Sequence, residues 1–472
     1  MSEDRPTNWR PARMQSDPAR VVALDVLEQV RNGAYANIAL PATLRRANVR
    51  GRGRGFATNL TYGTLRMQGR WDAIIANCVQ GRPVDEIDPL VMDILRLGAH
   101  QILGLRVPIH AAMNETVNLA RNEVGSGASG FVNAVMHRIS ERTNEEWDEL
   151  IAEELKDQGE RAVLAAQTSH PEWILEVYED SFDASGRDRE DLPKLLAANN
   201  EPARVALAPR AVSRETVMSD AAEAGVQVVD GVLVPDALVL EKGNPGRMAS
   251  VRELSAGVQD EGSQLVAHLL AVAPLEGRDE EWLDLCAGPG GKTATLASLT
   301  GDRDVTIFAN ELHPHRLDLV ADAVAPFGDI VVMREGDGRE LADEEPGRFD
   351  RALVDVPCSA IGSLRRRPEA RWRKDDGDAE GMTELQAGLL EAAINATREG
   401  GIICYSTCSP DLRETKQIVD RFVDRVEVLD TVELASSMVL PGKLDGMTGP
   451  YLQLWPDLHE SDAMFAALLV KK

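Results

Sequence analysis

Two cysteines in this chain stand just past apolar runs of strand length: Cys358 in "DVPCSAIGS" and Cys408 in "GGIICYSTCSPD". A thiol in such a place serves as a nucleophile, a metal ligand, a redox partner or a packed core atom. Cys404 lies four residues before Cys408, which on a strand puts it on the same face but two pleats earlier, roughly 13 Å away. That separation makes Cys404 a candidate core residue rather than a partner of Cys408. Metal binding fits poorly, because no further cysteine and no pair of histidines completes a ligand set around either thiol. No C-x-x-C redox motif is present. Inert burial is the ordinary fate of a lone cysteine. Two cysteines at the ends of adjacent strands, each followed by Ser, point instead to nucleophilic chemistry.

A second set of chemistry-bearing residues is "LDLCAGPGGKTATLA", residues 283–297, which reads as strand, glycine turn and helix. Gly288, Gly290 and Gly291 let a ligand approach the backbone, and the helix N-terminus favours negative charge nearby. It is not a Walker A loop, since only two residues separate Gly288 from Gly291. Glu311 follows the next apolar run, about where an acid accepts hydrogen bonds from a ribose hydroxyl pair. Asp337 follows the run after that, where a carboxylate or backbone group meets the exocyclic amine of an adenine. Glycines, then Glu, then Asp at three consecutive strand ends form the layout of an adenosine site on a doubly wound sheet. The fourth end carries Asp355, Pro357 and Cys358, and the fifth Thr407 and Cys408. Both thiols are therefore expected side by side over the crevice.

The elements that must position these residues are legible from Leu254 onward. There "EWLDLC", "DVTIFAN", "DIVVM", "DRALVDV" and "GIICYST" alternate with helical stretches, which predicts an α/β doubly wound domain over residues 256–472. "RVEVLDTVEL" and "AMFAALLVKK" would supply a closing antiparallel edge. Residues 16–143 are helical almost throughout and form an all-α domain. Ala23, Leu24, Leu27 and Val30 share one face there, as do Val91, Ile94, Leu95, Gly98 and Ile102 in a helix with Asp88 as N-cap and Pro89 in its first turn. Between these domains, residues 144–255 read as linker helices and a small α+β module, with Asn144 as a helix cap and "ARVALAP", "VQVV" and "GVLVP" as short strands. Residues 1–15 read as a disordered tail.

A chain of 472 residues calls for about two to four domains. Its start is polar, and no apolar run approaches the roughly 18–20 residues of a membrane helix, so a cytoplasmic protein with reduced thiols and no membrane partner is expected. The formal net charge of -26 argues against a whole-surface attraction to nucleic acid. Basic runs at 45–55 and 365–374 are local exceptions, and with a Debye length of about 8 Å a local stripe still binds phosphates.

"VQDEGSQLV", the glycine loop, "DVPCSAIGSLRRRPEARW" and "YSTCSP", preceded by "FATNLTYGTLR", "GRPVDEIDPLVMDILRLGAHQIL" and "FVNAVMHRI", resemble the RsmB/Sun (Fmu) type of RNA (cytosine-5) methyltransferases over nearly the whole chain. The resemblance implies an N-terminal NusB-like RNA-binding domain, a C-terminal class I methyltransferase (Rossmann-like) domain and S-adenosyl-L-methionine as cofactor. It implies that Cys286, Ala287, Gly288, Pro289, Gly290, Gly291 and Lys292 line the cofactor site. Glu311 would hold the ribose, Asp337 the adenine end, and Asp355 the methionine end or the target base. It also implies that Cys408 is the nucleophile and Cys358 the group that helps release product. That choice between the thiols comes from the resemblance alone. A thiolate adding to carbon 6 of cytosine makes carbon 5 able to attack a sulfonium methyl group. Lys292, the arginines at 365–367 or a helix N-terminus would lower the thiol pKa that this needs. The sequence departs from the family pattern at Gly288, Val356, Ala360 and Arg413-Glu414-Thr415, which bears on substrate selection; the thiols, acids and lysine are intact.

The expected function is transfer of a methyl group to carbon 5 of a cytosine in RNA, in the first place small-subunit (16S) rRNA, through a covalent cysteine–cytosine intermediate. Methylation of another RNA such as tRNA is the first alternative. A non-catalytic RNA-binding ribosome assembly factor is the second, and the two intact thiols argue against it. Arg365, Arg366, Arg367, Arg371 and Trp372, with Arg373 and Lys374, form the candidate RNA contact. "RGRGRG" at 50–55 is either a flexible loop or a phosphate contact. The expected protein is a monomer that binds RNA and no metal.

Overall fold

The computed structural model describes residues 16–79, 83–301, 303–373 and 375–472, the side chains of 378–380 excepted. The expected tail over 1–15 and the predicted contact Lys374 lie outside the described residues. The chain divides into two compact units: one runs to Glu172 and includes Arg367–Glu369, and the other holds Trp173–Arg366 and Ala370–Lys472.

The first unit is built from α1 (Pro18–Arg31), α2 (Ala36–Arg46), α3 (Gly51–Arg66), α4 (Gln68–Cys78), α5 (Pro89–Ala99), α6 (Ile109–Glu123), α7 (Ser126–Ser140), α8 (Asn144–Leu155) and α9 (Glu160–Thr168). Ala23, Leu24, Leu27 and Val30 of α1 share one core with Val91, Ile94 and Leu95 of α5. The Asp88 carboxylate accepts from the backbone N–H groups of Leu90 at 2.9 Å and Val91 at 3.3 Å, and Pro89 opens α5; such a cap stabilises by about 1 kcal/mol.

Three local expectations change here and in the module that follows. Thr143, not Asn144, caps α8, because Thr143 and Glu146 form a reciprocal capping box. The "RGRGRG" run is helical rather than a loop: it is the exposed start of α3, whose Ala57 and Leu60 are buried. Packing of that later stripe outweighs the poor helix propensity of glycine. Trp147 and Ile151 of α8 are buried in the same core as α1 and α5, so α8 and α9 cluster with the first unit while the rest of the 144–255 segment, from Trp173 on, clusters with the second.

The second unit opens with α10 (Glu172–Ser185, from Trp173) and α11 (Leu192–Asn200), followed by β1 (Val205–Pro209), α12 (Arg214–Glu223), β2 (Gln227–Asp230), β3 (Leu238–Lys242), the short α13 (Ala249–Arg252) and β4 (Ala256–Val258). These strands form an antiparallel sheet in the order β2-β3-β1-β4. "GVLVP" is not one of them. Val232, Leu233 and Val234 instead turn their successive N–H groups onto the buried carboxylate of Glu261, at 3.1, 2.8 and 2.8 Å, and a strand ladder cannot offer its amides to one anion in this way.

The remaining helices and strands are α14 (Glu261–Val272), β5 (Glu281–Asp284), α15 (Gly291–Leu299), β6 (Thr306–Glu311), α16 (Pro314–Val324), β7 (Val331–Glu335), α17 (Leu341–Glu344), β8 (Phe349–Asp355), α18 (Ala379–Ala396), β9 (Thr397–Thr407), α19 (Lys416–Asp420), β10 (Val426–Val428), α20 (Thr431–Ser436), β11 (Leu452–Gln453), α21 (Pro456–His459) and β12 (Phe465–Lys471). They form an eight-stranded sheet in the order β10-β12-β9-β8-β5-β6-β7, with β11 paired to β12. The five strands β5 to β9 are parallel, and β12 closes antiparallel against β9. Along β9, Ile402 and Cys404 join a core with Leu265, Ala294 and Val320, whereas Ile403 and Tyr405 join one with Leu390 and Ala393. Both faces of the sheet are therefore covered, as a doubly wound fold requires. Strand order reverses between β5 and β8, which opens the crevice at the carboxyl ends of β5, β6, β8 and β9.

Candidate active site

The turn from β5 into α15 requires glycine at defined points. Gly290 has φ +93°, and a Cβ there would lie 2.7 Å from the Ala323 Cβ and 2.9 Å from the Val320 Cα. A Cβ on Gly288 would meet Glu311 Oε2 at 2.2 Å. Glu311 ends β6 with its carboxylate accepting from the N–H groups of Gly288 at 3.1 Å and His313 at 3.0 Å. Asp337, past β7, caps the turn Gly338–Glu340, and hydrogen bonds from Arg339 hold its carboxyl below the usual carboxylate range. Beneath the loop, Thr293 Oγ1 donates to Asp284 Oδ2 at 2.7 Å, and burial pushes the Asp284 carboxyl up to about 7. Asp284 Oδ1 is buried with no protein partner. A glycine-lined approach followed by Glu311 and Asp337 fits a nucleoside cofactor with its base towards β7. Burial, with Asp284, Asp355 and Glu311 nearby, pushes the Cys286 thiol well above its ordinary range.

The two expected neighbours meet. Cys358 lies three residues beyond β8, Cys408 is the first residue beyond β9, and their sulfurs are 3.4 Å apart, well beyond the roughly 2.05 Å of a disulfide bond. They are brought together by the parallel register that sets Asp355 of β8 against Ser406 of β9. The hydrogen bond with Cys408, and then burial, push the Cys358 thiol well above its ordinary range. Cys404 is fully buried, in register with Leu353 on one side and Leu468 on the other, and burial pushes its thiol up to about 12. It is a core residue.

Lys292 reaches from the first turn of α15 to Asp355, with Nζ 2.7 Å from Oδ2, while Ser406 Oγ donates to Oδ1 at 2.9 Å. Burial alone would lower the Lys292 pKa, but Asp355 and Cys408 raise it on balance, so the ammonium stays charged beside the thiols. A cation in such a position favours the ionised form of a neighbouring thiol.

The loop carrying Cys358 is tied from both sides by residues to which sequence reasoning assigned no role. Ser359 N donates to Glu414 Oε1 at 2.8 Å, Ser359 Oγ donates to Glu414 Oε2, and Gln386 Nε2 donates to Pro357 O at 2.9 Å and Glu414 Oε1 at 3.2 Å. Gly362 N donates to Cys408 O at 3.0 Å, and a Cβ on Gly362 would lie 2.7 Å from that oxygen. Two acids, Asp411 and Glu414, follow "TCSP" closely, and they are the one signal the sequence carried.

The predicted RNA stripe is corrected in part. Arg371 is fully buried, donating to Asn200 Oδ1 at 2.7 Å and Asn199 O at 2.9 Å, and Arg365 is 7% exposed with Nη1 on Pro456 O at 3.3 Å. Short helical turns over Ile361–Ser363 and Pro368–Trp372 fold the run inward, where carbonyl oxygens accept from the Nη atoms of these guanidinium groups. Trp372 is exposed, and the exposed Arg366 pairs with Asp462. Arg367 clusters with the first unit, its guanidinium 5.9 Å from the Tyr35 ring centre. Among the described residues, no three His, Cys, Asp or Glu side chains group as metal ligands, and no helix is long and apolar enough to cross a membrane.

The family model described as 16S rRNA methyltransferase RsmB/F matches residues 270–470, and that of the NusB family matches 17–141. A putative methyltransferase of Mycobacterium tuberculosis is 43% identical over 470 residues, covering 98% of this chain and 99% of its own length. Ribosomal RNA small subunit methyltransferase B of Pseudomonas putida is 31% identical, covering 96% of this chain and 98% of its own. The crystal structure of PH0851 superposes with a TM-score of 0.76 at 22% identity, over 98% of this chain and 100% of that one. NSun6 from Pyrococcus horikoshii with SFG superposes at 0.51 and 19% identity, over 63% of this chain and 97% of that one. At these identities the two structures show a shared fold. With a NusB-family domain in front and the glycine loop and paired thiols in the matched C-terminal part, the chain belongs to the RsmB/F family of methyltransferases.

Proposed function

We propose that this protein transfers a methyl group from S-adenosylmethionine to carbon 5 of a cytosine in RNA, and that the RNA is small-subunit ribosomal RNA. The observation that carries the reading is the pair of thiols, 3.4 Å apart, at the ends of β8 and β9 beside the glycine loop and Lys292. The names of the relatives support ribosomal RNA over transfer RNA. Residues Cys286 to Lys292, Glu311, Asp337 and Asp355 would hold the cofactor, which when bound supplies an electrophilic methyl group. The Cys408 thiolate, held in the field of Lys292, adds to carbon 6 of the cytosine. The ring electrons this shifts make carbon 5 the nucleophile. Carbon 5 takes the methyl group as the methyl–sulfur bond of the sulfonium breaks; water then accepts the carbon 5 proton, and the electron pair of that C–H bond expels the Cys408 sulfur from carbon 6. Cys358, protonated and within reach of Cys408, stabilises the departing thiolate by hydrogen bonding.

The test is incubation with labelled S-adenosylmethionine and total RNA, followed by mapping of 5-methylcytosine. Cys408→Ala should abolish transfer, and Cys358→Ala should accumulate a covalent protein–RNA adduct. Undiminished methylation by Cys408→Ala would sink the assignment. We further read the protein as a cytoplasmic monomer, checked by light scattering and cell fractionation.

A further inference from the structure

Beside the start of α15, the nine-residue helix that follows the glycine loop, donors gather without an anion. Arg210, just past β1, places Nη2 3.2 Å from Gln259 Oε1 and 3.5 Å from Gly291 O. Thr295 Oγ1 also donates to Gln259 Oε1, at 2.7 Å. Two donors on Oε1 fix the amide orientation. Gln259 Nε2, on a side chain only 7% exposed, is thereby left a buried donor with no acceptor. Both donors face one spot: a Cβ on Gly291 would stand 3.8 Å from Arg210 Nη2 and 4.0 Å from Gln259 Nε2.

Charge points the same way. Three cations lie at this loop: Arg316 stands 3.6 Å from Glu311, Lys292 stands 2.7 Å from Asp355, and Arg210 has no carboxylate partner among the described residues. Burial without a carboxylate lowers the Arg210 pKa to about 10, which still leaves a buried positive charge at neutral pH. The acids Glu311, Asp284 and Asp355 suit the ribose, ammonium and sulfonium of S-adenosylmethionine. None of them suits its carboxylate.

We infer that Arg210 and Gln259, with the N-terminal amides of α15, form the subsite for the carboxylate of the cofactor's methionine end. The inference rests on the S-adenosylmethionine reading above. Arg210 directly follows β1 of the small antiparallel sheet, so that module is a working part of the cofactor site.

Calorimetric binding to the full-length protein tests this without turnover. Wild type should bind S-adenosylhomocysteine about 10- to 100-fold more tightly than its decarboxylated analogue, the span of a charge-assisted hydrogen-bond pair. In Arg210→Met that preference should collapse, while 5′-methylthioadenosine, which lacks the amino-acid end, binds as to wild type and reports an intact fold. Gln259→Met should reduce the preference less. Equal affinity of wild type for both analogues overturns the subsite. Parallel loss of 5′-methylthioadenosine in both variants overturns it in favour of a structural role. An unchanged preference with weakened RNA binding assigns Arg210 to an RNA phosphate and overturns it too. Failure of wild type to bind S-adenosylhomocysteine at all would fell the cofactor reading itself, a distinct result.

Discussion

Glu414 is 1% exposed and takes three hydrogen bonds on its carboxylate: from Ser359 N, Ser359 Oγ and Gln386 Nε2. Glu414→Ala would leave those donors facing a void and release one side of the Cys358 loop. Each buried donor without an acceptor costs about 1–3 kcal/mol. Partial relaxation and the remaining ties through Gln386 to Pro357 and Gly362 to Cys408 bring the expected loss to about 2–4 kcal/mol. At 1.4 kcal/mol per tenfold, an open loop gains roughly 30- to 700-fold in population, and the step that depends on Cys358 should slow by about 10- to 100-fold. Glu414→Gln keeps the volume and one good acceptor, so its loss should be nearer 1 kcal/mol. The assay separates methyl transfer from release: a single-turnover burst of methylation through Cys408, then steady-state turnover, with the trapped adduct run on a denaturing gel well below the variant's melting temperature. The expected Glu414→Ala result is a preserved burst, slow turnover, accumulated adduct and little change in KM for RNA. Loss of burst and turnover together, in a variant that melts as a folded protein, would refute the positioning role.

The buried Asp284 carboxyl titrates at about 7 in the folded protein against an ordinary 3.8. Its proton is held more tightly in the native state, so its stabilisation is full below about pH 4 and is lost as pH rises through about 7; relative to wild type, Asp284→Asn should therefore gain in Tm between about pH 5 and 8. Glu261→Gln sets an amide NH2 against backbone N–H groups that now meet a carboxylate, and should cost about 2–4 kcal/mol in urea unfolding. Cys404→Ala should lower stability by only about 1–2 kcal/mol and leave methyl transfer intact. Arg371→Ala should lower Tm without changing the salt dependence of RNA binding in the folded variant, whereas Arg366→Ala should reduce the slope of log affinity against log salt by about one.

Where local chemistry repeats along the chain, the reading succeeded. Five apolar runs separated by helices specified the parallel part of the sheet, because strands buried on both faces must be apolar throughout. The glycine turn, Glu311, Asp337 and both thiols stood at strand ends, and the rule that sites gather where strand order reverses was enough to predict that Cys358 and Cys408 meet. Two of the failures share one cause. "GVLVP" has strand composition but is claimed by Glu261, and Arg371 and Arg365 have the composition of an exposed stripe but are claimed by carbonyl groups of distant segments. In each case a buried polar group elsewhere in the chain decided the outcome, and no window on the sequence contains it.

Residue type and order alone thus determine the fold class, the glycine loop and the identity of the chemical groups, since these follow from periodicity, turn chemistry and the nucleophilicity of a thiol. Tertiary structure decides how those groups are poised. The 3.4 Å sulfur separation, the Lys292–Asp355 pair and the Glu414 clamp all join residues from different elements. Their energies depend on distance and desolvation, which exist only once the sheet has closed.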